Sequence, residues 1–155
     1  MKALNPKGTE DLKSSFRGKV ILPNDDGYES SRQIWNGMFD RKPALIARCV
    51  GTSDVIQAVN FARDNHLLTA VKGGGHNSAG NAACDDGIMI DLSLMRRVIV
   101  DRQNQTATVD GGCLLGDVDR ETQLYGLAVP AGIVSHTGVG GLTLGGGFGW
   151  ISRKH

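Results

Sequence analysis

VKGGGHNSAG at residues 71–80 and GVGGLTLGGGFG at residues 138–149 are the two stretches that decide how this sequence folds. Glycine lets backbone N–H groups approach a ligand closely, and it adopts positive φ angles at little steric cost. Two such stretches, brought together, surround the oxygens of one phosphate-bearing ligand with N–H donors. The sequence therefore predicts that both stretches line a single site, with His76 as its candidate reactive side chain.

The composition is that of an ordinary globular domain except for its glycine content. The chain has 155 residues, enough for one domain with a core, and 22 of them are glycine, whereas the average is ~7%. Seventeen of these glycines lie between Gly73 and Gly149, so the excess is local. The net charge of +1 and the aromatic content of 5% argue against a nucleic-acid partner.

The sequence also bears on location and on metal or disulfide chemistry. Residues 1–17 mix charges and contain no apolar segment of the secretory type, and no stretch approaches the ~18 apolar residues of a membrane span. We therefore expect a cytoplasmic protein without a membrane partner. The three cysteines, Cys49, Cys84 and Cys113, are odd in number and widely spaced, which favours buried free thiols. No metal site is expected, because His and acidic residues lack ligand spacing.

The apolar pattern predicts an α+β (mixed α/β) fold with two small subdomains whose loops meet between them. A strand–helix–strand unit over residues 44–71 favours parallel strands with a right-handed crossover. Residues 98–110 are typical of a hairpin, and residues 29–39 of a helix. The other predicted elements are a helix starting near Thr9, helices at residues 52–65 and 114–125, and strands at residues 19–22 and 87–92.

The glycine stretches do not match the common nucleotide-binding motifs. A Walker loop needs G-x4-G-K-[ST], and although Gly75 and Gly80 have the right gap, Asn81 follows instead of lysine. A Rossmann fingerprint needs G-x-G-x-x-G, but Ser78 and Thr143 stand where its last glycine is required. Another phosphate-binding architecture is therefore needed.

The order of the motifs along the chain indicates a different phosphate-binding architecture. KGGGHNS at residues 72–78 is followed by IDLS at 90–93, TVDGG at 108–112, PAG at 130–132 and TGVGGLTLGGGFG at 137–149. This series resembles the PCMH-type FAD-binding module of the vanillyl-alcohol-oxidase superfamily, and it is most similar to the berberine-bridge-enzyme and 6-hydroxynicotine-oxidase branch. The resemblance covers roughly residues 40–155.

The resemblance implies which residues contact FAD. The loop from Gly73 to Ser78 matches the segment that wraps the pyrophosphate, and residues 145–147 match a tight turn. His76 matches the histidine whose ring nitrogen bonds the 8α-methyl of the isoalloxazine, so a covalent link is expected there. The implied cofactor-binding residues are Lys72, Gly73, Gly74, Gly75, His76, Asn77, Ser78, Pro130, Ala131, Gly132, Thr137, Gly138, Gly141, Leu142, Gly145, Gly146 and Gly147.

The chain departs from the family pattern at two places. Lys72 stands where many relatives have arginine, so it keeps the charge but loses the planar guanidinium fork. Val134 occupies the position of the second, cysteinyl attachment of bicovalent members, so at most one covalent bond is expected. His136 is open as a catalytic base or a loop hydrogen-bonding residue, and Asp91 as a ribose contact or a brace for the loops.

The resemblance also implies a function. It indicates the FAD-binding part of an FAD-linked oxidoreductase, an oxidase or dehydrogenase of a small organic substrate such as an alcohol, amine or sugar. Residues 1–40 are expected to form an N-terminal extension and residues 41–155 the FAD-binding domain. A substrate domain, a catalytic base and a possible homo-oligomeric partner are expected outside this sequence. A non-catalytic flavin-binding module and an inactive fragment that needs a partner chain remain alternatives.

Overall fold

The structure, a computed structural model, describes residues 4–154 and has a mixed α and β fold in that range, as predicted. The ends of the two predicted domains, residues 1–3 and 155, lie outside the described part. The helices are α1 (Pro6–Ser15), α2 (Tyr28–Arg32), α3 (Thr52–Asp64), α4 (Leu115–Gln123) and α5 (Val139–Gly145). The strands are β1 (Lys19–Ile21), β2 (Leu45–Arg48), β3 (Thr69–Lys72), β4 (Ile88–Asp91), β5 (Val98–Asp101) and β6 (Thr106–Val109).

Four strands form the main sheet in the order β1-β2-β4-β3, and only β1 is antiparallel to its neighbour. The expected strand–helix–strand unit is present, with β2 and β3 running in the same direction, but these strands are not neighbours. Strand β4 lies between them, and Met89 is paired with both Ile46 and Ala70. All four residues of β4 are buried, and an apolar strand of this kind is best accommodated at the centre of a parallel sheet.

The core covers both faces of this sheet because successive side chains of a strand point to opposite sides. On one face Leu45 and Ile88 belong to a cluster that includes Phe61 of α3 and Leu12 of α1. On the other face Ile46 and Met89 pack with Ile21, Tyr28 and Ala83. The sheet is therefore a rigid layer, and the first glycine stretch leaves it directly after β3.

The helix expected over residues 29–39 is wrong in its length, because α2 ends at Arg32. Gln33 is extended, with ψ of 141°. Beyond it, the Trp35 N–H donates to the Gly75 carbonyl at 3.0 Å and the Asn36 side chain donates to the Ser78 carbonyl at 3.0 Å. These tertiary hydrogen bonds to the first glycine stretch replace the helical ones.

The first helix begins earlier than expected, at Pro6 and not near Thr9. The side chain of Asn5 accepts hydrogen bonds from the N–H groups of Lys7 and Gly8. Asparagine at the N-cap, followed by proline at the first helical position, is a favourable helix start.

Most of the second glycine stretch is a helix, for which the sequence predicted no element. Gly138 is the N-cap of α5, and Gly146 ends the helix with a φ of +83°. Positive φ just beyond a helix is the conformation that favours glycine. The tight turn expected at residues 145–147 thus coincides with a helix end.

The remaining elements lie close to their predicted positions. The hairpin pairs β5 with β6, and Gly126 follows α4 with a φ of +66°. Strand β1 pairs with β2 in one sheet, so the predicted N-terminal extension contributes to the sheet of the predicted FAD-binding domain. The boundary at residue 40 stays a prediction. In residues 4–154 no helix has both the length and the apolar content to cross a bilayer.

Asp54 of α3 is fully buried and fastens two chain segments to the sheet. Its carboxylate accepts from the N–H of Arg17 at 3.0 Å and from the N–H of Val50 at 2.9 Å. We expect Asp54→Ala to lower the free energy of unfolding by about 3 kcal/mol, because two backbone N–H donors lose their buried, charged acceptor. Urea denaturation measures this change.

The matched control is Asp64→Ala, at the exposed end of the same helix. Its side chain is 62% exposed and pairs with the neighbouring Arg63, so its loss should cost less than about 0.5 kcal/mol. Equal effects of the two substitutions would contradict the bracing role of Asp54.

Candidate functional site

The two glycine stretches touch backbone to backbone at Gly74 and Gly138. A Cβ added to Gly74 would lie 2.4 Å from the nitrogen of Gly138, and one added to Gly138 would lie 2.3 Å from the nitrogen of Gly74. Real Cβ atoms do not approach other atoms this closely, so both positions require glycine. The contact brings residues that are distant in sequence to one site, as the sequence predicted.

The segment before α4 holds Gly138 in place. Leu114 forms an antiparallel bridge with Gly138, and the Val139 N–H donates to the Cys113 carbonyl at 2.8 Å. Asp117 fixes this segment in turn, because its carboxylate accepts from the Leu114 N–H at 2.8 Å and from Arg96 Nε at 2.8 Å. The start of α5 is therefore positioned by the hairpin side of the molecule.

The first glycine stretch leaves the sheet at the carboxyl end of β3. Gly75 has a φ of +72°, and the side chain of Asn77 accepts from the N–H groups of Ala79 and Asn81 to close the loop. Within residues 4–154, none of the N–H groups from Gly73 to Ser78 donates a hydrogen bond. This loop therefore presents a series of free N–H donors.

Between the two stretches lies a cleft of about 470 Å³. Most of the predicted cofactor-binding residues line it, and no acidic side chain does. Val71, Asn81 and Ala82 also line it and were not predicted, because they flank the motif and carry no pattern of their own. The predicted residues in the lining are Gly73, Gly74, Gly75, His76, Asn77, Ser78, Thr137, Gly138, Gly141, Leu142, Gly145 and Gly146.

The other predicted residues lie outside this cleft. Ala131 and Gly132 line a separate cleft with Trp150, and Gly149 packs so closely on Ala131 that a Cβ would lie 1.5 Å from its carbonyl oxygen. Gly147 is packed against Leu142, whose Cδ1 a Cβ would approach to 2.5 Å. The structure does not bring Pro130, Ala131, Gly132, Gly147 or Lys72 into the main cleft, so their contact with the cofactor stays a prediction.

Lys72 belongs to a polar network beneath the loop. Its Nζ donates to the Ser31 carbonyl at 2.7 Å, and Arg48 donates to the Ser31 hydroxyl at 3.0 Å and to Asp91 at 3.1 Å. Burial lowers the pKa of Lys72, with Asp91 raising it and Arg48 lowering it. Asp91 is fully buried and also accepts from the Ser93 N–H. Asp91 was predicted either to contact the ribose or to brace the loops, and these hydrogen bonds support the bracing role.

His76 stands in a cluster of three rings that the sequence did not indicate. Its ring stacks on Trp35 with centroids 4.9 Å apart and planes 11° apart. His136 lies 4.9 Å from His76 and 4.8 Å from Trp35, tilted against both. Burial lowers the pKa of His76, the neighbouring His136 lowers it further, and a backbone hydrogen bond with His136 partly offsets both effects. The lowered pKa favours the neutral form of His76, in which one ring nitrogen carries a free lone pair.

The cysteines lie apart from the site. Cys49, Cys84 and Cys113 are free and buried, and none of them lines the cleft. Burial raises the pKa of all three thiols, that of Cys49 to about 12, which makes them poor nucleophiles. In residues 4–154 no group of three or more His, Cys, Asp or Glu residues is arranged to hold a metal.

Comparisons with known proteins agree with this geometry. The pattern of the FAD-binding domain family matches residues 43–155. (R)-6-hydroxynicotine oxidase from Paenarthrobacter nicotinovorans is 40% identical over 141 residues, which cover 91% of this chain and 31% of that protein. The chain thus spans less than a third of the length of this relative.

Solved structures show the same fold. The crystal structure of 6-hydroxy-D-nicotine oxidase from Arthrobacter nicotinovorans has a TM-score of 0.88 at 40% identity, covering 90% of this chain and 31% of that chain. Glucooligosaccharide oxidase from Acremonium strictum, described with a 6-S-cysteinyl, 8α-N1-histidyl FAD, has a TM-score of 0.88 at 30% identity. The match covers 96% of this chain and 31% of that chain. The expected PCMH-type fold is therefore confirmed.

The contact between the glycine stretches is tested by Gly74→Ala. The added methyl group must displace the backbone of Gly138, and we expect the free energy of unfolding to fall by about 1–3 kcal/mol. The control is Gly37→Ala, since a Cβ at Gly37 meets nothing within 4 Å. A Gly74→Ala protein as stable as the control, by urea denaturation, would contradict this packing.

The ring cluster predicts how His76 titrates. An NMR titration of the His76 ring should give a pKa below the usual value of 6.5, and His136→Gln should move the pKa of His76 upward because it removes the neighbouring charge. A lowered pKa in the folded state means that the unfolded state binds the proton more readily. This contribution to stability is therefore full above about pH 6.5 and is lost as the pH falls through the folded-state pKa. A pKa above 6.5 would refute the assignment.

Proposed function

The chain belongs to the family of FAD-binding domains, and we propose that it holds FAD in the cleft between its glycine stretches as the cofactor-binding part of an FAD-linked oxidoreductase. The observation that carries this proposal is the convergence of both stretches on one cleft through Gly74 and Gly138. Curated relatives named as oxidases or FAD-linked oxidoreductases support the reaction class.

The residues of the cleft fit the dinucleotide. The free N–H groups from Gly73 to Ser78 suit the two negatively charged phosphates, which a nest of backbone donors binds well. The lining contains no acidic side chain that would repel them. At Gly141, Gly145 and Gly146 a Cβ would meet only open space, so this wall leaves room for a bound ligand to lie against the backbone.

We propose that His76 carries the flavin through one covalent bond. Its ring lines the cleft, and its lowered pKa keeps a ring nitrogen available for bond formation. The 8α-N1-histidyl FAD of glucooligosaccharide oxidase gives a precedent in a protein of this fold. We propose no second, cysteinyl bond, because the family resemblance places Val134 at that position and no cysteine of the described residues lines the cleft.

The bound FAD would supply the two-electron acceptor of the reaction. This chain's residues would bind the pyrophosphate through the backbone of residues 73–78 and tether the ring system at His76. We propose that the substrate is a small organic molecule such as an alcohol, amine or sugar. Its binding surface and the catalytic base are proposed to lie in polypeptide beyond the 31% of the relative's length that this chain matches.

Acid precipitation tests the covalent link. Purified protein loaded with FAD is denatured with trichloroacetic acid, and we expect yellow flavin to remain in the pellet. His76→Ala should bind FAD but release it to the supernatant, because the nucleophilic nitrogen is lost. The control is His66→Asn, away from the cleft, where asparagine tolerates the left-handed backbone of His66 (φ +51°). Flavin retained by His76→Ala would contradict the assignment, and a wild-type protein that takes up no FAD would contradict the proposed function.

A further inference from the structure

Trp35 is a large aromatic side chain that the hydrophobic core does not explain. It follows α2, it is 67% exposed, and it belongs to neither core cluster. Leaving an indole on the surface gives up a large amount of apolar burial. Its position against His76 therefore calls for a reason other than core stability.

The backbone around Trp35 is tied to both sides of His76. The Trp35 N–H donates to the carbonyl of Gly75, the residue before His76, and the Asn36 side chain donates to the carbonyl of Ser78, two residues after it. Each distance is 3.0 Å. The segment is thus fixed to the loop at two points, and the indole is placed on the imidazole between them.

His136 is held on its own side by a second set of bonds. The carbonyls of its two neighbours, Ser135 and Thr137, accept from the N–H groups of Gly116 and Leu115 at 2.8 and 2.9 Å. Thr137 is followed by Gly138, which is packed against Gly74. His136 therefore approaches His76 from the α4 side, while Trp35 approaches it from the α2 side.

The rings of Trp35 and His136 restrict the imidazole of His76. One of its faces is covered by the parallel indole of Trp35, and His136 contacts it at a tilt of 49°. Two neighbours on independently anchored segments prevent free rotation of the ring. An unrestricted imidazole on a glycine loop would have to find its reactive orientation at each encounter, which slows bond formation.

We propose that Trp35 and His136 are positioning residues that clamp the His76 ring in the orientation needed for covalent flavin attachment, an inference that rests on the proposed function. In that attachment a C–H bond of the flavin 8α-methyl and the N–H bond of His76 give way to one C–N bond. The two hydrogens reduce the isoalloxazine ring, which molecular oxygen then reoxidises to give hydrogen peroxide. Trp35 and His136 take no part in the bond changes.

The clamp itself is tested by NMR of the purified protein without cofactor. Stacking on the indole should shift the His76 ring protons upfield, with the signals assigned by their loss in His76→Ala. Trp35→Ala should remove the shift, and Trp35→Phe should keep part of it because a flat ring still stacks. The control is Met38→Ala, which changes a side chain that is 89% exposed on the same segment. A His76 signal unaffected by Trp35→Ala would overturn the clamp.

The consequence for attachment is tested by following covalent flavin in acid pellets over time. Trp35→Ala and His136→Ala should each slow incorporation on the order of tenfold or more, while Met38→Ala should match the wild type. In a His76→Ala background, where binding is reversible, Trp35→Ala and His136→Ala should leave the Kd for FAD unchanged. This separates positioning from binding, and a thermal melt of each variant confirms that it folds.

The outcomes of these experiments distinguish failure of the positioning role from failure of the proposed FAD binding. Wild-type rates of incorporation in both Trp35→Ala and His136→Ala would overturn the inference and leave the FAD site intact. The inference would also be overturned if Trp35→Ala and His136→Ala weakened reversible FAD binding as much as they slowed incorporation, because the two rings would then act on binding. A wild-type protein that binds FAD without attaching it would refute the inference and the proposed covalent bond at His76 but not the FAD site, whereas one that takes up no FAD would refute the FAD site as well.

Discussion

The close approach of Gly74 to Gly138 is the constraint on which the site depends. Two backbones in direct contact leave no room for a Cβ on either side, and the pair joins the end of the main sheet to the start of α5. The cleft lies between the stretches that this contact joins, with the free N–H groups on one wall and open glycine surface on the other. A side chain at Gly74 or Gly138 would push the two walls of the cleft apart and disrupt the candidate FAD site.

The rest of the fold fixes the two partners of this contact. Below Gly74, the buried strand β4 takes the centre of the sheet, and the Leu92 N–H donates to the Lys72 carbonyl just before the loop begins. Under the same edge, the fully buried Asp91 forms an ion pair with the partly exposed Arg48. On the other side, Asp117 fixes the start of α4, and Leu114 bridges to Gly138. The start of each glycine stretch is therefore held by backbone hydrogen bonds to a neighbouring segment, at Lys72 for the first and at Gly138 for the second.

The sequence predicted the features that local patterns determine. Spacing and turn residues determine the site-forming glycine stretches, the order of the motifs and the hairpin, so these could be predicted. Three features depend on long-range contacts and could not be predicted from the sequence. Residues 33–36 are not helical, because they hydrogen-bond to the first glycine stretch. Strand β4 lies between β2 and β3 in the sheet. Trp35 stacks on His76, which is 41 residues away in sequence. Glycine's low helix propensity also concealed α5, whose first residue, Val139, donates its N–H to the Cys113 carbonyl.

Both glycine stretches are proposed to contact one FAD molecule. The direct test is a titration of FAD into ¹⁵N-labelled His76→Ala protein, in which binding is reversible, followed by amide NMR. We expect the amides of residues 73–78 and of residues 138–142 to shift together with a single dissociation constant, while those of α1 do not move. Shifts confined to one stretch, or centred on the separate cleft near Ala131 and Trp150, would contradict this proposal.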